Sequence, residues 1–228
     1  MPEPYEIQLQ VEGPAAMFAR PDTGATPISY PVPTYSAAKG MLEAVLRRPH
    51  IYIHPTYVEV CKPIRYERYV TNYGGPLRKS KDITGGNSYQ FIATILVDVC
   101  YRIYGEVRMK QMSTRGFGKK QIRRRKGKDW RPQFIEIFDS RLACGQTFYT
   151  PCLGWKEFIP TYFGPFRNRD NFGHEIGLSL VGEIHIPAML NSMWDHGRYK
   201  PTFRERWIVD GIMSYENARP LKVVNDAK

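Results

Sequence analysis

Residues 89–107, YQFIATILVDVCYRIYGEV, limit the possible folds of this chain more than any other stretch. The run is long and apolar, and it is rich in β-branched and aromatic side chains, which favour strands over helices. We therefore predict a central β-strand here, or two strands joined near Asp98. A chain with such a strand at its centre is expected to fold around a sheet.

Two segments before this strand have clear periodicity. Residues 5–11, YEIQLQV, alternate apolar and polar side chains, which predicts a half-buried strand that stops at a Gly-Pro pair. Residues 34–48 are predicted to form a helix that Thr34 or Ser36 caps and that Pro49 ends. The apolar stripe of this helix consists of Ala38, Met41, Leu42 and Val45.

The other elements complete a two-domain α+β prediction. Residues 56–66 are predicted to be extended, residues 67–88 a loop with Gly-Gly breakers, and residues 134–138, FIEIF, a strand. The order strand, helix, strand, central strand indicates a ferredoxin-like or RRM-like domain over residues 1–141. From Leu142 onward, the segments GQTFY, GLSLVGEIHI and RWIVDGIMSY predict short strands in a smaller β-rich C-terminal domain, residues 142–228.

A basic arm, about residues 108–131, interrupts the first predicted domain. Its residues 108–128 hold ten Lys or Arg and no Asp or Glu, while the whole chain has a formal net charge of +11. Such localised, uncompensated charge is typical of nucleic-acid binding, and nearby aromatic rings add stacking surfaces for bases. The predicted RNA-binding residues are Arg47 and Arg48 in the last turn of the helix and, in the arm, Arg108, Lys110, Arg115, Lys119, Lys120, Arg123, Arg124, Arg125, Lys126 and Lys128.

Several other classes of protein are disfavoured by the composition. No apolar run reaches the ~18 residues of a membrane span, and the N-terminus has no signal-peptide pattern. The four cysteines include no Cys-x-x-Cys pair, so neither a zinc ribbon nor a disulfide scaffold is expected. We predict a cytoplasmic protein without a metal or cofactor.

The sequence also lacks the common hydrolytic motifs. There is no Gly-x-Ser-x-Gly, no Walker-type phosphate loop and no clustered pair of acids. The five histidines show no ligand spacing, which favours surface or packing roles for them. If the chain cuts nucleic acid, the expected route is metal-free attack by the RNA 2′-hydroxyl, which DNA lacks.

Three stretches together resemble the Cas-five family of CRISPR-associated RAMP proteins, specifically its type I-C "d" branch. They are ISYPVPTYSAAKGMLEAVLRRPHI, VEVCKPIRYER and FDSRLACGQTFYTPCLGWKEFIPTYF. Weaker similarity continues through EIGLSLVGEIHIP and the final predicted strand. The resemblance therefore spans most of the chain in matching order.

This resemblance implies a crRNA-binding subunit of a Cascade complex that grips the 5′ handle of the guide RNA. Its implied partners are the Cas-seven backbone subunits, the large subunit and target DNA within the complex. The alternatives are a metal-independent pre-crRNA endoribonuclease and a general basic RNA- or DNA-binding protein.

The resemblance also implies where catalytic residues would lie, and this sequence departs from the family pattern there. Leu46 stands at the position of the family's helical Tyr. Either Arg131–Phe134 or Lys128–Asp129 stands at the position of its Lys-His pair. We therefore leave the catalytic residues unassigned, with Tyr35, Tyr30 and Lys128 as possible substitutes.

Overall fold

A computed structural model describes residues 5–24, 26–73, 85, 89–109, 129–167, 182–195 and 198–220. Within these residues an α+β fold is built on one eight-stranded sheet with the order β5-β1-β4-β2-β8-β7-β6, and β3 also pairs with β4. All of the strand pairs are antiparallel. The elements in chain order are β1 (Glu6–Ala16), α1 (Tyr35–Val45), β2 (Ile51–Val60), β3 (Arg65–Tyr73), β4 (Tyr89–Met109), α2 (Arg131–Ala143), β5 (Tyr162–Gly164), β6 (Ile184–Asp195), β7 (Arg198–Val209) and β8 (Ile212–Ser214).

The predicted central strand is confirmed as one long strand, β4. It pairs with β1 on one side and with β2 and β3 in succession on the other. Asp98 has a positive φ of 50° and lies opposite the break between β2 and β3. Lys62 and Arg65 bind the two carboxylate oxygens of Asp98 at 2.7 and 3.3 Å, so this irregularity is held by ion pairs across the sheet.

Helix α1 begins as predicted but ends earlier. The Thr34 side chain accepts a hydrogen bond from the backbone N–H of Ala37, which confirms the N-cap, and the predicted apolar stripe is buried. The helix stops at Val45 because Leu46 turns to an extended conformation while its side chain stays in the core, 1% exposed. The placement of Arg47 and Arg48 in the last helical turn was therefore wrong; both follow the helix and are exposed.

Helix α2 replaces the strand predicted at residues 134–138. Phe134, Phe138 and Leu142 recur every four residues and are all buried, whereas Ile135 and Ile137 are only half-buried. Both helices contact the sheet and each other. No helix among the described residues is long and apolar enough to span a membrane.

Two further predictions needed correction. The predicted loop at 67–88 begins later, because β3 continues to Tyr73 in register with the start of β4. The segment GQTFY forms turns after α2 rather than a strand, and Gly145 adopts a φ of 66° there. RWIVDGIMSY forms the end of β7 and all of β8, joined by a turn at Asp210 and Gly211, although β7 begins earlier, at Arg198.

The middle of the PCLGWKEF segment packs tightly against the loop after β1. The backbone N–H of Met17 donates to the Leu153 carbonyl at 2.8 Å, and the Leu153 side chain is fully buried. Gly154 has a φ of 92°, and a Cβ atom there would lie 1.9 Å from the Met17 carbonyl oxygen. This position therefore requires glycine for both its backbone conformation and its space.

Candidate nucleic-acid interface

Both ends of the basic arm are anchored at the same end of the sheet. β4 ends at Met109, which pairs with Ile51 at the start of β2. On the return, the Tyr5 hydroxyl donates to Asp129 at 3.1 Å, and the Trp130 ring lies 5.1 Å from the ring of His50. Nine of the predicted RNA-binding cations lie outside the described residues: Lys110, Arg115, Lys119, Lys120, Arg123, Arg124, Arg125, Lys126 and Lys128.

A cleft of about 370 Å³ lies where the arm returns to the fold. The His50 and Trp130 rings meet at an angle of 57° inside it, and exposed Arg48 stands at its edge. A concave surface that combines aromatic rings with a guanidinium is suited to stacking a nucleobase beside a phosphate. The lining residues are Arg48, Pro49, His50, Trp130, Gln133, Phe134 and Ile137.

Asp129, the one acid within residues 108–131, is neutralised by a neighbouring arginine. Asp129 accepts hydrogen bonds from the Arg131 guanidinium and from its backbone N–H, and these bonds lower the pKa of Asp129 to about 2. The same guanidinium stacks on the Tyr5 ring at 3.7 Å. Because Arg131 already balances the charge of Asp129, this carboxylate does not offset the cations of the arm.

A hydrogen-bonded chain of four side chains runs between α1, β2 and the segment after β8. The Tyr35 hydroxyl is 2.5 Å from the Tyr52 hydroxyl and 2.9 Å from Nδ1 of His54. Nε2 of His54 is in turn 3.0 Å from Oε1 of Glu216, and the His54 side chain is 18% exposed. These residues come from α1, β2 and the segment after β8, which the fold brings together.

Charged residues surround this chain and alter its protonation. Arg108 contacts Glu216 at 3.0 Å and Glu106 at 2.6 Å, so this predicted RNA-binding cation is already paired with two carboxylates. The pKa of His54 is lowered by burial and by Arg108, although Glu216 acts in the opposite direction. Burial also raises the pKa of Tyr35, which keeps its hydroxyl protonated.

The three residues suggested as catalytic substitutes differ in their surroundings. Tyr30 is buried, and its hydroxyl donates to the Ala188 carbonyl and accepts from the Leu190 N–H, so its role is structural. Leu46 lies in the core. Lys128 is outside the described residues, which leaves Tyr35 as the candidate with a polar network around it.

The polar sheet residues near this end are poorly suited to binding RNA phosphates. Tyr57 and Tyr104 stack on each other at 4.2 Å and form an aromatic surface on the sheet. However, the Tyr57 hydroxyl donates to Glu6 and the Tyr104 hydroxyl donates to Glu59. Carboxylates beside both rings repel phosphates, so the cleft and the arm form the better candidate interface.

Other histidines and cysteines in the described residues show no metal site. His185 stacks on Trp207 at 4.1 Å and lies 2.7 Å from Glu205, an exposed ion pair. The four cysteines are free. Within the described ranges, no group of three or more His, Cys, Asp or Glu side chains is placed to hold a metal.

Comparison with known proteins assigns the family. The Cas5d model of the CRISPR-associated protein family matches residues 6–219. The chain belongs to the Cas5d family. This confirms the resemblance to the "d" branch of the Cas-five proteins that the sequence motifs indicated.

Two curated relatives of this Cas5d-family chain are both named CRISPR pre-crRNA endoribonuclease Cas5d. The protein from Thermus thermophilus is 30% identical over 160 residues, which cover 70% of this chain and 63% of that protein. The chain thus spans less than two thirds of the length of the Thermus relative. The protein from Mannheimia succiniciproducens is 30% identical over 218 residues, covering 87% of this chain and 89% of its own.

Solved structures share the fold of this Cas5d-family chain. A crystal structure of a CRISPR-associated protein superposes with a TM-score of 0.62 at 19% identity, covering 92% of this chain and 90% of that chain. A functionally uncharacterized protein from Streptococcus mutans superposes with a TM-score of 0.63 at 18% identity, covering 93% of each chain. At these identities the two structures show the fold alone.

Proposed function

We propose that this chain binds CRISPR RNA as a subunit of a type I surveillance complex and holds the 5′ handle at the cleft and the basic arm. The observation that carries this proposal is that both ends of the arm are anchored beside one concave aromatic cleft. Membership of the Cas5d family supports the RNA as the ligand. The Cas-seven backbone and the large subunit are the partners that we expect.

The two parts of the interface have different tasks. Lysines and arginines of the arm neutralise phosphates and release counterions, which gives affinity without reading sequence. The cleft stacks a base on the open face of a ring that the fold holds in place, since Trp130 precedes α2 and His50 precedes β2. Exposed Arg47 and Arg48 extend the positive surface beside the cleft.

The substitution Trp130→Ala tests the cleft. Loss of one stacked base is expected to weaken RNA binding by about 1–3 kcal/mol, which is about 5- to 150-fold in Kd. Fluorescence anisotropy with a labelled repeat RNA measures this change. Trp207→Ala is the matched control, because Trp207 also stacks on a histidine and lies under an arginine, Arg219, but outside the cleft. Equal losses in the two variants would contradict the assignment.

The second candidate function is that of a metal-independent pre-crRNA endoribonuclease. The names of both curated relatives favour it, and so do His50 in the cleft and His54 in the hydrogen-bonded chain with Tyr35. The test incubates the protein with a repeat hairpin in EDTA. A product with a 2′,3′-cyclic phosphate supports the enzyme, and a 2′-deoxy substitution at the cleavage position is expected to abolish it. Intact RNA in a stable complex supports the binding subunit alone.

A general basic RNA- or DNA-binding protein is the remaining alternative. It predicts that duplex DNA competes as well as the repeat RNA and that affinity does not depend on the repeat sequence.

We also propose that residues 1–141, with an inserted arm, form a ferredoxin-like unit. The strand order β5-β1-β4-β2, with helices after β1 and β4, supports this, although β5 lies beyond residue 141. The domain division at residue 142 stays a prediction.

A further inference from the structure

The chain from Tyr52 through Tyr35 and His54 to Glu216 has the order of groups found in a proton relay. A carboxylate, an imidazole and two hydroxyls follow one another at 3.0, 2.9 and 2.5 Å. The residues come from distant parts of the chain, since 162 positions separate His54 from Glu216. Neither the family motifs nor the names of the relatives assign any role to this set.

We propose that Tyr52, Tyr35, His54 and Glu216 form a proton relay that acts as the general base for cleavage of RNA by its own 2′-hydroxyl. This inference rests on the endoribonuclease candidate function above. Tyr52 is the group that would contact the ribose and is thus the catalytic residue. Tyr35, His54 and Glu216 act through it and position or receive the proton.

The directions of the hydrogen bonds follow from the carboxylate. Glu216 can only accept a hydrogen bond at neutral pH, so Nε2 of His54 carries the proton and Nδ1 is left with its lone pair. Nδ1 then accepts from the Tyr35 hydroxyl, and the Tyr35 oxygen accepts from Tyr52. The Tyr52 oxygen keeps a free lone pair with which to accept a proton from a substrate hydroxyl.

Proton transfer through this chain balances the cleavage step. The 2′ oxygen bonds to the adjacent phosphorus, and the bond from phosphorus to the 5′ oxygen of the next nucleotide breaks. The 2′ proton passes to Tyr52 as Tyr52 protonates Tyr35 and Tyr35 protonates Nδ1 of His54. The leaving 5′ oxygen takes a proton from water, and His54 later returns one to water. The products are a 2′,3′-cyclic phosphate and a 5′-hydroxyl.

The surroundings of the relay match these tasks. His54 faces Tyr35 from α1, Glu106 and Arg108 from β4, and Glu216 from the segment after β8. The lowered pKa of His54 keeps it neutral, and so able to accept a proton, near neutral pH. Lys39 places its ammonium 4.2 Å from the centre of the Tyr52 ring, where it can stabilise charge that develops on the phosphate oxygens.

The relay predicts that substitutions in it lower the single-turnover rate at which the protein cleaves a repeat hairpin in EDTA. Tyr52→Phe removes the accepting oxygen, and His54→Gln removes the final acceptor; each is expected to slow cleavage by about 100-fold at unchanged RNA affinity. Tyr57→Phe is the matched control, because Tyr57 lies on the same strand and its hydroxyl is hydrogen-bonded to Glu6, outside the relay. That control is expected to cleave like the wild type.

A pH profile separates the relay from a purely structural network. The wild-type rate is expected to be constant above pH 6.5 and to fall below it, because the pKa of His54 is lowered from 6.5 and protonation removes the acceptor. The fall is expected to vanish in the residual activity of His54→Gln. A melting curve for each variant shows whether it is folded.

Three results would overturn the relay. They are wild-type rates in folded Tyr52→Phe and His54→Gln proteins, a pH dependence that His50→Gln removes instead, and wild-type protein that binds the hairpin without cutting it. The last result leaves the RNA-binding proposal intact. Failure to bind the hairpin at all would instead refute the proposed function.

Discussion

Replacement of Arg123, Arg124, Arg125 and Lys126 by alanine is expected to lower the affinity for single-stranded RNA by on the order of 200-fold at ~0.15 M salt. Each lost phosphate contact reduces the slope of log affinity against log salt by ~0.7, or ~2.8 for four contacts. The 200-fold figure follows if the wild type and the four-alanine variant bind RNA equally at ~1 M salt, where the electrostatic contribution vanishes. Affinities measured at several salt concentrations provide both quantities.

A charge-matched variant tests whether the position of these cations matters. Arg68, Lys156, Lys200 and Arg204 are exposed cations outside the arm, and their replacement by alanine removes the same net charge. If binding depends on the arm, this control loses little affinity and keeps the wild-type slope. Equal losses in the two variants would show that RNA responds to overall charge, as expected for a general basic protein.

Gly154→Ala is expected to destabilise the fold by about 3 kcal/mol, combining a strained φ with a backbone clash. Its φ is 92°, and the new Cβ would lie 1.9 Å from the Met17 carbonyl oxygen, which cannot rotate away as a side chain can. For a chain of this size the melting temperature would fall by roughly 6–12 °C. Thermal unfolding followed by circular dichroism measures this shift.

Gly145→Ala separates the two causes of this loss. Gly145 also has a positive φ, 66°, but a Cβ there meets nothing within 4 Å. Its substitution is expected to cost only the left-handed strain, about 1–2 kcal/mol. A Gly154→Ala protein as stable as Gly145→Ala would show that the loop around Leu153 can move away from Met17.

Local patterns in the sequence predicted the elements that pack in a simple way. These elements are the Thr34 cap, the apolar stripe of α1 and the apolar run of β4. Each depends only on residues close together in the sequence or within one continuous strand. The prediction was wrong at helix α2. FIEIF is too short a segment to show a helical period by itself, and the spacing of Phe134, Phe138 and Leu142 decides which face is buried.

The candidate interface was only partly visible in the sequence. Charge located the arm, but a single sequence does not show that Trp130 lies against His50 or that Glu216 reaches His54. One signal was available and was not used: Tyr52 and His54 alternate with buried Ile51 and Ile53, which places both polar side chains on one face of β2. The predicted surface or packing role for the histidines overlooked this pairing.

The most direct test of the account is photocrosslinking of a crRNA that carries 4-thiouridine, with the crosslinked peptides identified by mass spectrometry. We expect crosslinks to residues 108–131 and to the cleft at His50 and Trp130. Crosslinks at the stacked Tyr57 and Tyr104, with none between residues 108 and 131, would contradict the claim that RNA binds where the arm leaves β4 and returns to α2.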